Sequence, residues 1–451
     1  MIANPLFRLL IILAMSLLLK ATLPKKLRDF LVPLCFAYMI ARPNIIPFVD
    51  GGLHFAIMAL YWVAMAILCD GFDLKVLRQN PVLACFLTFW GYLTLTSLWG
   101  DYVYYGLLYY VNVLVELILT GYYVGIWAMR TEDGFYRLFR PLAVAGVLSF
   151  AYYVKYGFAS ELDAGGRGKF DSDLGEDFGN NVNAIGLALG PLIACLVVFV
   201  MDRPMFRSRG AMIHRWMGLG ALVISVYMLL RTGSRNASLA IFPCFYYFWR
   251  GGGSRIRLSK RWIMILAVVA LTFVAVKVCM EGAEIRSFKF HERGTGFDLD
   301  VMSSGRIGEF VQYLKPMRGI DYIIGDGPHK SWFSEGPTVG GCLSVYVTLL
   351  RTTGVLGLLL LSVYFLYMSR FLTSRNRRFQ MAFLFFAVWA VTGVAEGSNI
   401  RRGYTTQLLL GMSLALCTKQ KRLVVGMDGV RPPQTWAFWH DGQKEIACRC
   451  R

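Results

Sequence analysis

The sequence predicts an all-α fold, a polytopic transmembrane helix bundle of about 12–13 spans with one large, partly helical loop on its outward face. Three observations lead there. Of the 451 residues, 56% are hydrophobic, and the mean hydropathy of +0.50 exceeds what soluble globular chains carry. Apolar runs near the ~20 residues that a helix needs to cross hydrocarbon recur along almost the whole chain. Basic segments alternate with less basic connections, which is the pattern of a chain whose Lys and Arg collect in cytoplasmic loops.

Taken in order, candidate spans fall at 5–22, 30–47, 52–69, 81–98, 105–128, 138–157, 183–201, 216–231, 236–250, 262–280, 341–368, 380–396 and 404–417. The first apolar run, LFRLLIILAMSLLL, has no small-residue cleavage site after it and reads as a retained helix. The chain divides into N-terminal helices (1–157), helices carrying the first outward motifs (158–280), a large outward loop (281–340), C-terminal helices (341–417) and a basic tail (418–451). KATLPKKLRD, DRPMFRSRGAMIHR, RGGGSRIRLSKR, SRFLTSRNRR and KQKR are the cytoplasmic connections. The opposite set, facing the periplasm or its equivalent, holds 158–182, the RTGSR turn, 281–340 and EGSNIRRG. LWGDYVYYGLLYY has the composition of an aromatic belt at the membrane interface.

The net charge of +19 would suit nucleic acid, but its orderly placement in loops points to bilayer topology, and no nucleic-acid partner is expected. Most of the ten cysteines lie in apolar spans, and none forms a CxxC pair. No metal or cofactor site is assigned to them. HExxH, Walker, GxGxxG and GxSxG patterns are absent, which removes most soluble-enzyme classes. There is no short repeat and no matching pair of Gly/Pro-broken segments of the kind that marks a carrier's inverted halves. The 281–340 loop, too small for a core of its own, must share any chemistry with helix ends.

Outward-facing cations carry the functional signal. Arg231 and Arg235 flank an outward turn, and arginine offers permanently charged, forked donors that match phosphate oxygens. Snorkelling or interfacial anchoring is the alternative for the pair. Arg167, Arg306, Lys330, Arg401 and Arg402 lie on the same side, each an exception to the scarcity of Lys and Arg in outward loops. Glu116 and Arg351 fall within apolar spans, where they serve either as a structural ion pair with one another or in catalysis. His329, beside Asp326 in GDGPHKSW, is a candidate base.

Three stretches resemble the bacterial O-antigen ligase and polymerase superfamily of multi-span glycan enzymes. GGRGKFDSDLGEDFGNNVNAIGLALGPLIA is similar to its arginine-glycine-phenylalanine turn and following helix, and LLRTGSRNASLAIF to its threonine-x-serine-arginine junction. GRIGEFVQYLKPMRGIDYIIGDGP with CLSVYVTLLRTTGVLGLLLL resembles its outward loop and glycine-x-x-glycine helix. The resemblance covers about 160–370. It implies a metal-independent glycosyltransferase without cofactor in the bacterial inner membrane, with its site facing the periplasm. Polyprenyl-diphosphate-linked glycan would be donor and acceptor. Protein partners would be a chain-length regulator or a flippase.

Arg235, and then Arg167, match the family's diphosphate-binding arginines, with Arg231, Arg306, Arg401 and Arg402 as further contacts. Ligases that act on lipid A core place a histidine ten or eleven residues before the first glycine of that motif. Before Gly354 and Gly357 this chain has Leu343 and Ser344 there. The expectation is therefore a repeat-unit polymerase, with ligase and lipid-linked glycan transporter as alternatives, and with His329, Asp326 or Glu396 as base.

Overall fold

The computed structural model describes residues 24–45, 80–100, 103–130, 134–156, 182–201, 209–231, 238–251, 306–328, 344–374, 376–393 and 404–418. Most of these residues are helical, with no strand among them. Ten of the apolar stretches coincide with helices, while 5–22, 52–69 and 262–280 lie outside the described residues. Two helical stretches, Pro81–Trp99 and Val345–Ser369, are long and apolar enough to cross a membrane. Leu189–Met201, Ile213–Leu229 and Thr405–Leu416 are shorter apolar stretches.

The first described elements are α1 (Lys25–Ile45) and α2 (Pro81–Leu95), which continues as a 3-10 turn over Thr96–Trp99. Next comes a continuous run of α3 (Val103–Val113), a π turn (Leu114–Leu119) and α4 (Thr120–Met129). There follow α5 (Gly134–Tyr156), α6 (Val182–Met201), α7 (Arg209–Arg231) and α8 (Ile241–Gly251). The outward loop contributes α9 (Arg306–Leu314) and the single turn α10 (Asp321–Ile324), so it is partly helical as its amphipathic pattern requires. The chain then forms α11 (Val345–Ser369), α12 (Arg377–Thr392) and α13 (Tyr404–Leu416).

α6 is the centre of the packing. Every residue from Leu189 to Met201 is buried, as expected of a helix that is apolar on all sides. It touches α1, α5, α7, α8, α12 and α13. α4 and α13 cross closely, and small residues there replace side chains with backbone contact. A Cβ on Gly411 would lie 2.1 Å from the Ile118 carbonyl oxygen, and one on Gly121 would lie 2.2 Å from that of Leu408. Gly125 meets Ala415 four residues further on. Such approach maximises dispersion contact between the two helices.

Helix ends away from the outward loop are tied together by polar side chains. Asn80, fully buried, accepts from the Val82 and Leu83 amides at 3.1 Å each and thereby caps α2, with Pro81 at the first helical position. Its amide nitrogen donates to the Leu414 carbonyl at 2.7 Å and to Thr418 Oγ1 at 3.1 Å. Arg378 Nε donates to the Leu416 carbonyl at 2.7 Å, and its Nη2 donates to that of Thr418. The last carbonyls of α13 are thus satisfied by donors from α12 and the start of α2.

Gly411→Ala should lower the melting temperature of the detergent-solubilised protein by several degrees, the cost of about 1–3 kcal/mol that overpacking carries. Gly91→Ala, whose Cβ meets nothing within 4 Å, should leave it unchanged in the same thermal unfolding measurement.

Candidate functional site

The outward loop is fastened to a break in α11. Gly354 has φ 62° and ψ −168°, a combination that interrupts the helical ladder and that a side chain cannot adopt without strain. Three successive carbonyls before the break take donors from elsewhere. The Arg351 carbonyl accepts from the Asp326 amide at 2.9 Å and the Thr352 carbonyl from the Gly327 amide at 3.2 Å. The Thr353 carbonyl accepts from Tyr92 Oη at 3.3 Å. The GDGP segment therefore lies along the opened helix and pairs with it backbone to backbone.

α2 holds the other side of that segment. The single Tyr92 O–H is shared between the Thr353 carbonyl and the Ile324 carbonyl, 3.0 Å away, and Trp99 Nε1 donates to the Gly325 carbonyl at 3.1 Å. Gly325 has φ 83°, and a Cβ on it would lie 2.1 Å from the Thr352 carbonyl oxygen. Pro328 then packs against Gly100 and Gly106.

A charged contact locks the junction. Arg351 Nε donates to Asp326 Oδ2 at 2.8 Å. Its Nη1 donates to the Tyr313 carbonyl at 3.0 Å, and its guanidinium carbon sits 4.7 Å from the Tyr313 ring centre. With Arg351 only 7% exposed, one side chain joins α11, α9 and the GDGP turn. The sequence suggests Glu116 as the partner of Arg351. Among the described side chains Asp326 is the carboxylate that pairs with Arg351, because the docked loop brings it to the break. Asp326, a candidate base by sequence, has Oδ2 engaged in this ion pair. The backbone of Glu116 belongs to the π turn.

Helix directions bring several described helix ends to the same end. Tyr346 Oη donates to the Ala390 carbonyl at 2.6 Å, which puts the start of α11 beside the end of α12. Ser413 donates to the Ala382 carbonyl, and Arg378 reaches Leu416, so α13 runs antiparallel to α12 and begins there. Gly190, near the start of α6, faces Ala240 and Thr392. Gly218, in the first half of α7, faces Phe199 near the far end of α6, so α7 starts at that far end and finishes at the loop-docking end with Arg231 as its last residue. Arg306 opens α9.

Arg167, Arg235, His329, Lys330, Glu396, Arg401 and Arg402 lie outside the described residues, and of Arg231, Arg306 and Glu116 only the backbone is described. In sequence, His329 and Lys330 follow Pro328, Glu396 follows Gly393 by three residues, and Arg402 precedes α13 by two. Ser344 precedes α11 in extended backbone, and its carbonyl accepts from the Thr348 amide at 3.0 Å. Tyr92, Trp99 and Tyr313 were not legible as parts of this junction. Their signal is indirect: aromatic donors near span ends, and a TTG triplet opposite a glycine-rich turn.

No family model, curated protein or solved structure matches the chain.

Asp326→Ala leaves the Arg351 guanidinium buried without its carboxylate and should cost about 3–5 kcal/mol, read from denaturant or thermal unfolding. Pairing it with Arg351→Met should recover part of that loss, because no lone charge then remains. Gly354→Ala should expose 306–328 to limited proteolysis, since the new Cβ would lie 2.3 Å from the Ile323 carbonyl oxygen.

Proposed function

We propose that the chain is an integral-membrane glycan polymerase of the bacterial inner membrane, with 12–13 spans and its site facing the periplasm. It extends oligosaccharide repeat units carried on polyprenyl diphosphate. The observation that carries this reading is the convergence of helix ends, those of α7 at Arg231 and α9 at Arg306 among them, on the end of the bundle where the GDGP turn docks into broken α11. The motif order of the sequence supports it independently.

In this reaction an acceptor hydroxyl attacks the anomeric carbon of the donor glycan. The bond from that carbon to the phosphate oxygen breaks, and polyprenyl diphosphate leaves with the bonding electrons. Charge grows on the leaving group, so arginines held at helix ends stabilise the transition state without reorganising. Arg235 and Arg231 are assigned to the diphosphate, with Arg167, Arg306, Arg401 and Arg402 around it. Neither a metal nor a cofactor is invoked.

The proton of the attacking hydroxyl goes to a base drawn from His329 and Glu396, because Asp326 is engaged with Arg351. Asp326 and Arg351 act as positioning residues: they fix the turn from which His329 emerges. Leu343 cannot take a proton, which favours chain polymerisation over transfer to lipid A core.

The test is extension of a synthetic polyprenyl-diphosphate oligosaccharide by the purified, reconstituted protein. A ladder of products that persists with chelator and disappears in Arg235→Ala is expected. An undiminished ladder from Arg235→Ala would sink the diphosphate assignment. If extension fails and lipid A core accepts the glycan, the protein is a ligase. Movement of labelled lipid-linked glycan across vesicles without extension identifies a transporter.

A further inference from the structure

We propose that the exposed apolar face of α10 seats in the lipid leaflet on the GDGP side of the bundle, so that the outward loop is held at the bilayer boundary. The inference rests on α2 and α11 being spans, as in the reading above.

Ile320, Tyr322 and Ile323 are 63%, 48% and 59% exposed, three large apolar side chains within four residues of a loop. An exposed apolar cluster of this kind marks a surface that meets a partner. The backbone fixes where the cluster sits. The Ile323 carbonyl adjoins Gly354 at the break in α11, and the Ile324 and Gly325 carbonyls are held by Tyr92 and Trp99 at the end of α2. Both helices expose apolar side chains near that junction: Leu95, Leu98 and Trp99 on α2, and Val355 and Leu359 on α11. Along α11 the exposed positions Val355, Leu359, Val363 and Leu366 recur at helical spacing and form one stripe, the side that faces acyl chains in a span. α10 therefore continues the lipid-facing surface of α2 and α11 beyond the break.

Two further features suit a bilayer boundary. Lys315 and Arg318 are exposed in the same segment, and long cationic side chains there reach headgroup phosphates while neighbouring apolar groups enter the acyl region. The backbone is prepared for scarce water as well. The amides of Asp321, Ile323, Ile324, Gly325, Asp326 and Gly327 all donate within the protein, and Asp321 Oδ2 accepts from the Arg318 amide at 3.0 Å. Irregular backbone approaches hydrocarbon only when its polar groups are paired in this way. Asp321 and the two cations set the depth: the turn reaches the headgroup boundary and goes no further.

The experiment uses the full-length protein in nanodiscs, with a genetically encoded fluorescent amino acid in place of Ile323 or of Val363. Quenching is measured with iodide and with phosphatidylcholine brominated either near the headgroup or near the chain ends. Val363 lies nine residues beyond Gly354, about 14 Å along the helix, and serves as the mid-bilayer reference. The label at 323 should be quenched several-fold more by shallow bromine than by iodide or deep bromine, and the label at 363 most by deep bromine. Dominant iodide quenching at 323 would put α10 in water and overturn the inference. Quenching at 323 by none of the three would mean that protein covers the turn, another segment or a second copy, and would overturn it too. Strong iodide quenching at 363 would overturn the span reading and the inference with it, so the two failures are distinguishable. Ile320 takes the same label as a second position should the first variant not elute as wild type in gel filtration.

Discussion

A broken helix in apolar surroundings must find partners for the carbonyls it frees, and this requirement organises one end of the molecule. Gly354 opens α11, and the carbonyls of Arg351, Thr352 and Thr353 become acceptors pointing away from the helix. The Asp326 and Gly327 amides and the Tyr92 hydroxyl supply the missing donors. A flexible connection could not do this, because each donor must arrive in register with its carbonyl. The glycines of GDGP permit the approach, and the Arg351–Asp326 pair fixes its register. The break thus converts a loop into a bound segment and gives the adjoining chemistry a rigid floor.

The rest of the bundle makes that rigidity possible. α4 and α13 approach so closely that backbone replaces side chain at Gly121 and Gly411, and α6 is enclosed on every side. At the far end Asn80 and Arg378 satisfy the final turn of α13, so that end of the helix does not depend on solvent for these hydrogen bonds. The bundle therefore has two polar ends of different character. One is a docked loop with a buried ion pair. The other is a set of side-chain caps from Asn80 and Arg378. The glycan chemistry we propose belongs to the first end.

Hydropathy and charge alternation determined where the chain is helical. The apolar stretches 81–98, 341–368 and 404–417 each coincide with helix, because length and apolar content are local properties. The amphipathic pattern of GRIGEFVQYLKPM likewise foretold α9. Arg351 was legible as an ionisable group in an apolar run, since its setting is visible in its neighbours along the chain. Its partner was not. Asp326 lies 25 residues away and across a loop, and only folding brings its carboxylate to 2.8 Å. The same holds for Tyr92 and Trp99, which read as ordinary span-end aromatics until the GDGP carbonyls arrive beside them. Sequence by itself settled which segments are apolar helices and which residues carry charge, because these depend on near neighbours. Tertiary structure decided where a helix breaks, what docks there and which charges meet, because those follow from backbone groups that must be paired across the fold.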